Sequence, residues 1–361
     1  MIRVSEMVLA GHPDKFCDQV AEAVVAQAYS VDPRAYCQVE MSTWSDQVFL
    51  TGGIATRKPL PASLEALVRT VGAEIGYELG NAIDASRYHV HDHVCQLVGD
   101  PQEWTQHVND QCVVIGWAGY DELVGYLPPE HFLGHQFRRT LDQSCREGRL
   151  SRLPVENVYR RAGSDGKLLL RLQENPDRWV LEEVVVTLQQ PAEAHSLDLV
   201  ARIDQELGDT YRRLQAADPR WGADWSEVHL LVNPNGPMVN AGSDADNGQT
   251  GRKLVMDYYG PRVPIGGGAL CGKDLRHIDR AGAHGARQAA LHAVKTGARE
   301  CQVTVTYAPN HDAPRDVNYQ MSGGRGERWD RDLLRHSELV RRINPKCVVP
   351  TRTGRGEHFL Q

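Results

Sequence analysis

The sequence lacks several features that would assign the protein to a specialised class. Its eight cysteines are scattered and form no C-x-x-C pair, which excludes a dense disulfide framework and indicates reduced thiols. No apolar run reaches the length of a membrane span, and the first residues lack the long apolar segment of a signal peptide. The formal charge of -7 lacks the basic excess of a nucleic-acid-binding protein. We expect a cytoplasmic protein whose partners are neither membranes nor nucleic acids.

The remaining composition is that of an ordinary globular protein. The chain has 361 residues, of which 41% are hydrophobic, so two or three domains are expected. Apolar residues recur at helical spacing over residues 13–29 and 61–77. Alternating patterns predict strands over residues 36–41, 47–51 and 84–95.

Two glycine-rich segments, residues 242–253 and 266–280, carry most of the chemical information. Each mixes glycines, cations and carboxylates within about a dozen residues. Glycine lets backbone N–H groups close on an anion, cationic side chains neutralise phosphate, and neighbouring carboxylates suit Mg²⁺. The pattern indicates a polyphosphate site, although neither segment has P-loop or dinucleotide-fingerprint spacing. Glycine turns on a charged surface are the alternative interpretation.

His12 is a further candidate, because it precedes a proline and a carboxylate. Pro13 suits the first position of a helix, which places His12 at the helix N-terminus beside Asp14 and Lys15. That end of a helix favours anions and lowers the pKa of a nearby histidine. Taken by itself, His12 is more typical of a capping residue than of a catalytic one.

A row of possible metal ligands follows in the chain. His89, His91, His93 and Cys95 alternate with other residues, so their side chains lie on one face of the predicted strand. A transition-metal site is one interpretation of this row. A plain exposed sheet face is more typical of such patterns.

The two glycine-rich segments resemble motifs of the S-adenosylmethionine synthetase family. A third matching stretch is Gly11-His12-Pro13-Asp14-Lys15. The resemblance covers nearly the whole chain and implies an α+β fold of three similar α/β-sandwich domains in a pseudo-threefold arrangement. We expect these domains over residues 1–98, 106–228 and 229–361. The resemblance also implies a homodimer or tetramer with active sites between subunits.

The resemblance implies a reaction as well. A thioether sulfur, by default that of methionine, attacks C5′ of ATP, and the triphosphate leaves and is then cut to pyrophosphate and phosphate. Sulfur needs no deprotonation, so catalysis reduces to positioning and charge stabilisation. ATP, Mg²⁺ and K⁺ are the implied small molecules.

Site residues carry over from the family motifs position by position. The implied catalytic residues are His12, Lys15, Lys253 and Lys273. The implied metal ligands are Asp14 and Asp279 for Mg²⁺, and Glu40 for K⁺. The implied contacts to nucleotide or acceptor are Asp246, Arg252, Lys253, Ala269, Lys273, Asp110, Met238, Gln96 and His277.

The sequence departs from the family pattern mainly where methionine binds. The glutamate that holds the amino group is missing at Gly53-Ile54, and the lysine that faces the carboxylate is His277, with Arg276 as a candidate replacement for its charge. Met238 replaces the aromatic residue that stacks on adenine. The triphosphate lysine of the family Pro-Asp-Ala-Lys motif is matched to Asn157, or to Arg160 in a shifted register.

Three functional hypotheses follow. The first is an ATP-dependent adenosyltransferase for methionine or for another thioether, thiol or amine. The second is an inactive or regulatory paralogue that binds nucleotide and pairs with a true synthetase. The third retains only cleavage of the triphosphate.

Overall fold

The structure is a computed structural model that describes residues 1–77, 84–105, 107–150, 163–191, 196–343 and 350–360. Its strands in these ranges are β1 (Ile2–Val8), β2 (Tyr36–Trp44), β3 (Gln47–Ala55), β4 (His89–Gln96), β5 (Cys112–Gly119), β6 (Gly166–Glu174), β7 (Trp179–Leu188), β8 (His229–Val232), β9 (Gly248–Gln249), β10 (Glu300–Tyr307) and β11 (Asp316–Ser322). Its α-helices there are α1 (Pro13–Val31), α2 (Leu64–Glu74), α3 (Pro129–Arg146), α4 (Ser196–Ala217), α5 (Leu254–Asp257), α6 (Ile278–Lys295), α7 (His336–Arg341) and α8 (Pro350–Thr353).

One sheet has the strand order β1-β6-β7-β8 and is covered by α3 and α4. Its pairs are antiparallel except for the parallel pair β7 and β8. Leu168, Leu170 and Leu172 alternate inward along β6 and join the core under the helices, because successive strand residues point to opposite faces. Lys167 therefore points to the exposed outer face.

A second sheet has the order β4-β3-β2-β9 and packs against α1. Cys37, Val39 and Met41 of β2 alternate inward and contribute to the core that includes Phe16 of α1. The short strand β9 belongs to the first glycine-rich segment and pairs with β2. This pairing brings residues 248–253 beside the N-terminus of α1.

The third sheet has the order β11-β10-β5 and packs against α6. Small residues allow α6 to approach the sheet closely: a Cβ atom on Gly116 of β5 would lie 2.0 Å from the carbonyl carbon of Ala286. Alanines 281, 283, 286, 289, 290 and 293 are buried along this contact. The alanine-rich composition of α6 thus follows from its close packing.

The predicted fold class is confirmed: three sheets each carry helices on one face. The division into residues 1–98, 106–228 and 229–361 stays a prediction. Strand pairing crosses those limits, since β1 pairs with β6 and β5 pairs with β10. Neighbours in sequence therefore contribute to different sheets.

The predicted elements are present with shifted ends. The first helix continues to Val31, two residues beyond the expected end. The second begins at Leu64, because the Ser63 hydroxyl caps it by accepting from the Ala66 N–H at 3.2 Å. The strand expected from residue 84 starts at His89, after a short 3₁₀ turn at Ala85–Arg87. In the described residues, no helix has the length and apolar character that crossing a membrane requires.

We expect acid to destabilise the fold through two histidines of α3. His131 and His135 are buried, and their Nε2 atoms lie 3.3 Å apart. Burial lowers the pKa of His131 to about 3 and that of His135 well below its ordinary value. The unfolded chain takes up protons near pH 6.5 while the folded protein does not, so the stability present at neutral pH falls as the pH drops below 6.5. Urea unfolding at pH 7.5 and pH 5 should differ by about 2 kcal/mol for each histidine.

The matched variants for this measurement are His135→Leu and His229→Ala. His135→Leu should reduce the pH dependence, since it removes one of the two buried imidazoles. His229 is exposed, and its replacement should change the pH dependence less than His135→Leu does. Equal unfolding free energies of the parent protein at the two pH values would contradict the assignment of neutral buried rings.

Candidate active site

His12 caps α1, as its position before Pro13 predicts. Its Nδ1 atom accepts a hydrogen bond from the Asp14 backbone N–H at 3.2 Å, and its ring is 2% exposed. Burial, followed by the charge of Lys253, lowers the pKa of His12 to about 3. The ring is therefore neutral at pH 7, and because Nδ1 accepts, its proton lies on Nε2. His12 offers a neutral N–H donor at a helix N-terminus.

Cations from the first glycine-rich segment surround Asp14 beside this histidine. The Lys253 Nζ donates to Asp14 Oδ2, and the Arg252 Nε lies 3.6 Å from Asp14 Oδ1. Oδ1 also accepts the Gln249 backbone N–H at 2.9 Å, which couples the segment to α1. Asp14 is fully buried, whereas Lys253 and Arg252 remain partly exposed. The arrangement presents positive charge to an anion next to a carboxylate that can hold a metal ion.

The same arrangement recurs at the N-terminus of α6. His277 caps this helix, and its Nδ1 atom accepts from the Asp279 backbone N–H at 3.2 Å, the same distance as in His12. Lys273 Nζ donates to Asp279 Oδ2 at 2.6 Å. Burial lowers the pKa of His277 below its ordinary value, so this ring is also a neutral donor. A histidine, a carboxylate and a lysine thus meet at each helix start.

A cavity of about 540 Å³ opens at the α6 cluster. Asp110, Lys273 and Asp279 line it together with the glycines at 267 and 268. A Cβ atom on Gly268 would lie 2.3 Å from Cγ of Asp279, so only glycine leaves room for this carboxylate. Burial and the nearby Asp279 raise the pKa of Cys112, at the cavity wall, to about 12. The cavity wall combines two carboxylates with one lysine, as a bound metal–phosphate group would require.

Ala269 lies where the cluster at the start of α1 meets the cluster at the start of α6. A Cβ atom on Gly251 would come within 2.7 Å of the Ala269 Cβ, and Gly251 has a φ of +79°. Gly251 directly precedes Arg252, and Ala269 directly follows Gly268. The two glycine-rich segments therefore meet at this contact, although they are separate in sequence.

The structure reveals two site residues that the sequence prediction missed. Asp165 accepts the Gly242 N–H at 2.6 Å, and burial together with the nearby charge of Asp246 raises its pKa to about 6. Lys167 lies close enough for its charge to lower the pKa of His12. The backbone fixes this proximity, because Gly11 N–H donates to the Ser164 carbonyl at 3.0 Å.

This placement offers a second possible match to the family Pro-Asp-Ala-Lys motif, and the choice between the two matches stays a prediction. The predicted positions, residues 153–157 and Arg160, lie outside the described residues. Asp165-Gly166-Lys167 has the same Asp-x-Lys spacing and directly opens β6 next to His12. The available signal was the strand that follows, together with an acid and a lysine two positions apart as in the family motif. Lys167 is therefore a further candidate for the triphosphate lysine, beside the predicted Asn157 and Arg160.

Lys15 is placed differently from the other predicted cations. Its side chain is completely buried, and Nζ donates to Asp18 Oδ2 at 2.8 Å and to Asp257. Burial opposes its charge, but the two carboxylates outweigh burial and raise the pKa of Lys15 above its ordinary value. These two ion pairs indicate that Lys15 holds α1 in place from the protein interior. The predicted contact of Lys15 with a substrate stays a prediction.

The other predicted residues occupy three separate places. Asp246 is exposed near Asp165. Met238 lies beside the end of β7, where its carbonyl accepts the Gln190 N–H at 2.9 Å. Glu40 and Gln96 are exposed in the second sheet. Their roles toward adenine, K⁺ and the acceptor stay predictions.

The histidine row of β4 behaves as an exposed sheet face. His91 stacks on Phe49 with ring centroids 4.5 Å apart, and its Nε2 lies 2.9 Å from Gln47 Oε1. In the part of the chain that the structure describes, this row forms no convergent group of metal ligands. The transition-metal interpretation is therefore not supported.

The site residues fit Mg²⁺ as the sequence suggested. Asp14 and Asp279 supply hard carboxylate oxygens, and glycine backbone at 267 and 268 leaves the space beside Asp279 free. Mg²⁺ in proteins is held by one or two carboxylates together with water and substrate phosphates. Lysines 253 and 273, which now pair with these carboxylates, are placed to contact phosphate oxygens instead.

Comparisons with known proteins agree with this geometry. The model described as "S-adenosylmethionine synthetase, N-terminal domain" matches residues 1–97, and that of the C-terminal domain matches residues 240–349. An S-adenosylmethionine synthase of Rhodospirillum centenum is 31% identical over 352 residues, covering 94% of this chain and 84% of the relative. Those of Hyphomonas neptunium and Mycobacterium marinum are each 30% identical, covering 95% and 98% of this chain and 86% and 92% of the relative.

Proposed function

Because the chain belongs to the S-adenosylmethionine synthetase family, we propose that it is a transferase that moves the adenosyl group of ATP to a sulfur atom. The sulfur–C5′ bond forms as the C5′–oxygen bond breaks, and the electron pair leaves with the triphosphate. Hydrolysis of the triphosphate to pyrophosphate and phosphate completes the cycle. The observation that carries the proposal is the convergence of His12, Lys167 and Lys253 at the N-terminus of α1.

These groups suit the departure of a triphosphate. Negative charge grows on the oxygen that leaves C5′, and donors already aimed at that place lower the barrier without reorganisation. The neutral His12 ring donates from Nε2, while Lys167, Arg252 and Lys253 provide the countercharge. A neutral donor has an advantage here, because it does not bind the ground-state triphosphate as tightly as a further cation would.

Mg²⁺, when bound, would neutralise the phosphate charge and hold the triphosphate of ATP in one geometry. Asp14 and Asp279 are the residues proposed to hold it, each already oriented by its place in the first turn of a helix. A K⁺ site at Glu40 is part of the same proposal.

Removal of one metal ligand gives a direct test of this assignment. Asp279→Asn keeps the size of the side chain but removes its charge, so the Mg²⁺ concentration for half-maximal activity should rise by about tenfold. The measurement is a Mg²⁺ titration of phosphate release at saturating ATP and acceptor. Asp209→Asn on the surface of α4 should leave the titration unchanged. The ligand assignment would be wrong if both variants required the same Mg²⁺ concentration.

The acceptor end is rebuilt, and methionine is the default rather than the established acceptor. Ile54, which stands where the family has its amino-binding glutamate, is completely buried and pairs with Gln96 across β3 and β4. His277, in place of the carboxylate-binding lysine, is a neutral donor. Arg276, its candidate replacement, is mostly buried, and its guanidinium donates to Asp274. An amino-acid acceptor would thus meet neither of the familiar counter-charges.

This observation favours a second candidate acceptor, a thioether that lacks both the charged amino group and the carboxylate of methionine. Purified protein incubated with ATP and a panel of sulfur compounds, followed by mass spectrometry, distinguishes the candidates. An S-adenosyl product from methionine would support the default acceptor, and one from an uncharged thioether would support the second. No adenosylated product and no release of triphosphate from any compound would contradict the transferase proposal and favour a regulatory paralogue. Phosphate release from tripolyphosphate alone would indicate that only the second half-reaction remains.

We also propose a homodimer or tetramer whose sites lie between subunits, in the cytoplasm. The outer faces of the sheets support it, because Val4, Phe49, Val113 and Trp44 are 42–56% exposed there. Several large apolar side chains on flat sheet faces are typical of an interface. Sedimentation of the purified protein tests this proposal, and Phe49→Lys should shift it toward monomer.

A further inference from the structure

A separate group of potential metal ligands lies beside the second glycine-rich segment. Asp257 ends α5, Cys271 belongs to the second glycine-rich segment, and His358 lies in the C-terminal tail. One carboxylate oxygen, the thiol sulfur and one imidazole nitrogen all lie within 4.8 Å of one another. Cys271 Sγ and His358 Nε2 are 3.4 Å apart. The three residues come from distant parts of the sequence and are all buried.

The hydrogen bonding around this group is incomplete. Oδ1 of Asp257 accepts from Lys15, but Oδ2 is buried and has no hydrogen-bond partner among the described residues. Nδ1 of His358 is likewise buried without a partner. Buried polar atoms are nearly always paired, because desolvation without a partner costs free energy. The unpartnered oxygen of Asp257 is therefore available as a ligand atom for a cation.

The charges of the surrounding ion pairs are also unbalanced. Asp18, Glu22 and Asp257 contribute three carboxylates, whereas Lys15 and Arg280 contribute two cations, and all five are buried. An excess negative charge in a buried network is costly. A divalent ion bound by a Cys271 thiolate brings a net charge of about +1 and balances the network.

We propose that Asp257, Cys271 and His358 bind a zinc ion. Thiolate, imidazole and carboxylate form a donor set that suits zinc, whereas Mg²⁺ prefers oxygen ligands alone. On binding, the sulfur–hydrogen bond of Cys271 is replaced by a sulfur–zinc bond and the proton passes to solvent. No oxidant or reductant is required.

The proposed ion has a structural consequence for the active site. His358 fixes the C-terminal tail, while Cys271 lies two residues before Lys273 and two after Ala269. Zinc would therefore tie the tail to the loop that carries these site residues. Its loss should loosen that loop without removing any group of the triphosphate site.

The test uses the full-length protein without an affinity tag, stripped with a chelator and then titrated with Co²⁺ as a spectroscopic substitute for zinc. We expect about one ion per chain with a thiolate-to-cobalt charge-transfer band. Cys271→Ser should abolish the band, and His358→Asn should weaken Co²⁺ binding at least tenfold. Elemental analysis of the zinc-loaded protein should likewise show about one zinc ion per chain.

Two controls separate this site from other thiols. Cys95→Ser removes the exposed cysteine of the histidine row, and Cys145→Ser removes another buried thiol. Both variants should keep the band. Circular dichroism checks that Cys271→Ser and His358→Asn remain folded; should either unfold, Asp257→Asn takes its place and should weaken Co²⁺ binding at least tenfold. A folded parent protein that binds no Co²⁺, or a band that survives Cys271→Ser, would overturn the proposal.

Discussion

Replacing His12 with asparagine should lower kcat for adenosyl transfer by about 10²–10³-fold. Asparagine can keep the capping role, because its side-chain oxygen can accept the Asp14 backbone N–H that Nδ1 accepts now. It cannot reproduce the Nε2 donor on the far side of the ring. The variant therefore separates the two roles of the histidine, and the effect should fall on kcat while the melting temperature changes little.

The control for this prediction is built into the chain. His277 caps α6 with the same geometry, so His277→Asn should have the same small effect on stability. Its effect on rate should appear in KM for the acceptor, because it stands where the family lysine faces the acceptor. Rapid-quench measurement of triphosphate formation compares the two variants. An unchanged kcat for His12→Asn would mean that the residue is a cap and nothing more.

Replacing Lys167 with methionine should lower kcat/KM for ATP by about 10²–10³-fold. Methionine keeps most of the length of the side chain but removes the charge that now reaches His12. Lys167 opens β6 and points away from the core, so the fold should tolerate the change. Lys167→Arg should restore part of the rate, since arginine supplies the charge with different hydrogen-bond geometry.

This prediction also decides between the two matches to the family motif. Asn157→Ala should change kcat/KM by less than about twofold if Lys167 is the triphosphate lysine. Lys58→Met is the charge-matched control on an exposed loop. Steady-state kinetics of all four variants at fixed Mg²⁺ provides the comparison. A normal rate for Lys167→Met together with a large loss for Asn157→Ala would restore the original match.

The contiguous motifs were predictable because their chemistry is local. His12, Asp14 and Asp279 lie in the first turns of helices, and a proline or an acid beside a histidine signals such a turn directly. The lysines of the two glycine-rich segments were found for the same reason. Lys15 shows the limit of this approach, because sequence alone cannot tell a cation that faces a substrate from one enclosed by Asp18 and Asp257.

Asp165 and Lys167 were missed because their neighbours had changed. Ser164 and Gly166 stand where the family motif has proline and alanine, whereas Pro154, ten residues before Ser164, supplies a proline. Pairing of β1 with β6 brings this segment beside His12, and strand pairing between distant segments has no local sequence signal.

The sequence by itself determined the motifs proposed to bind phosphate and metal, because caps and glycine spacing act over a few residues, and the resemblance of those motifs implied the family and the fold class. Only the tertiary structure decided which distant residues meet. It placed Lys167 beside His12, enclosed Lys15 between carboxylates, and gathered Asp257, Cys271 and His358 into one buried group. The physical reason is that burial and long-range pairing set the charge environment of a side chain. Neither can be predicted from the residues next to it in the sequence.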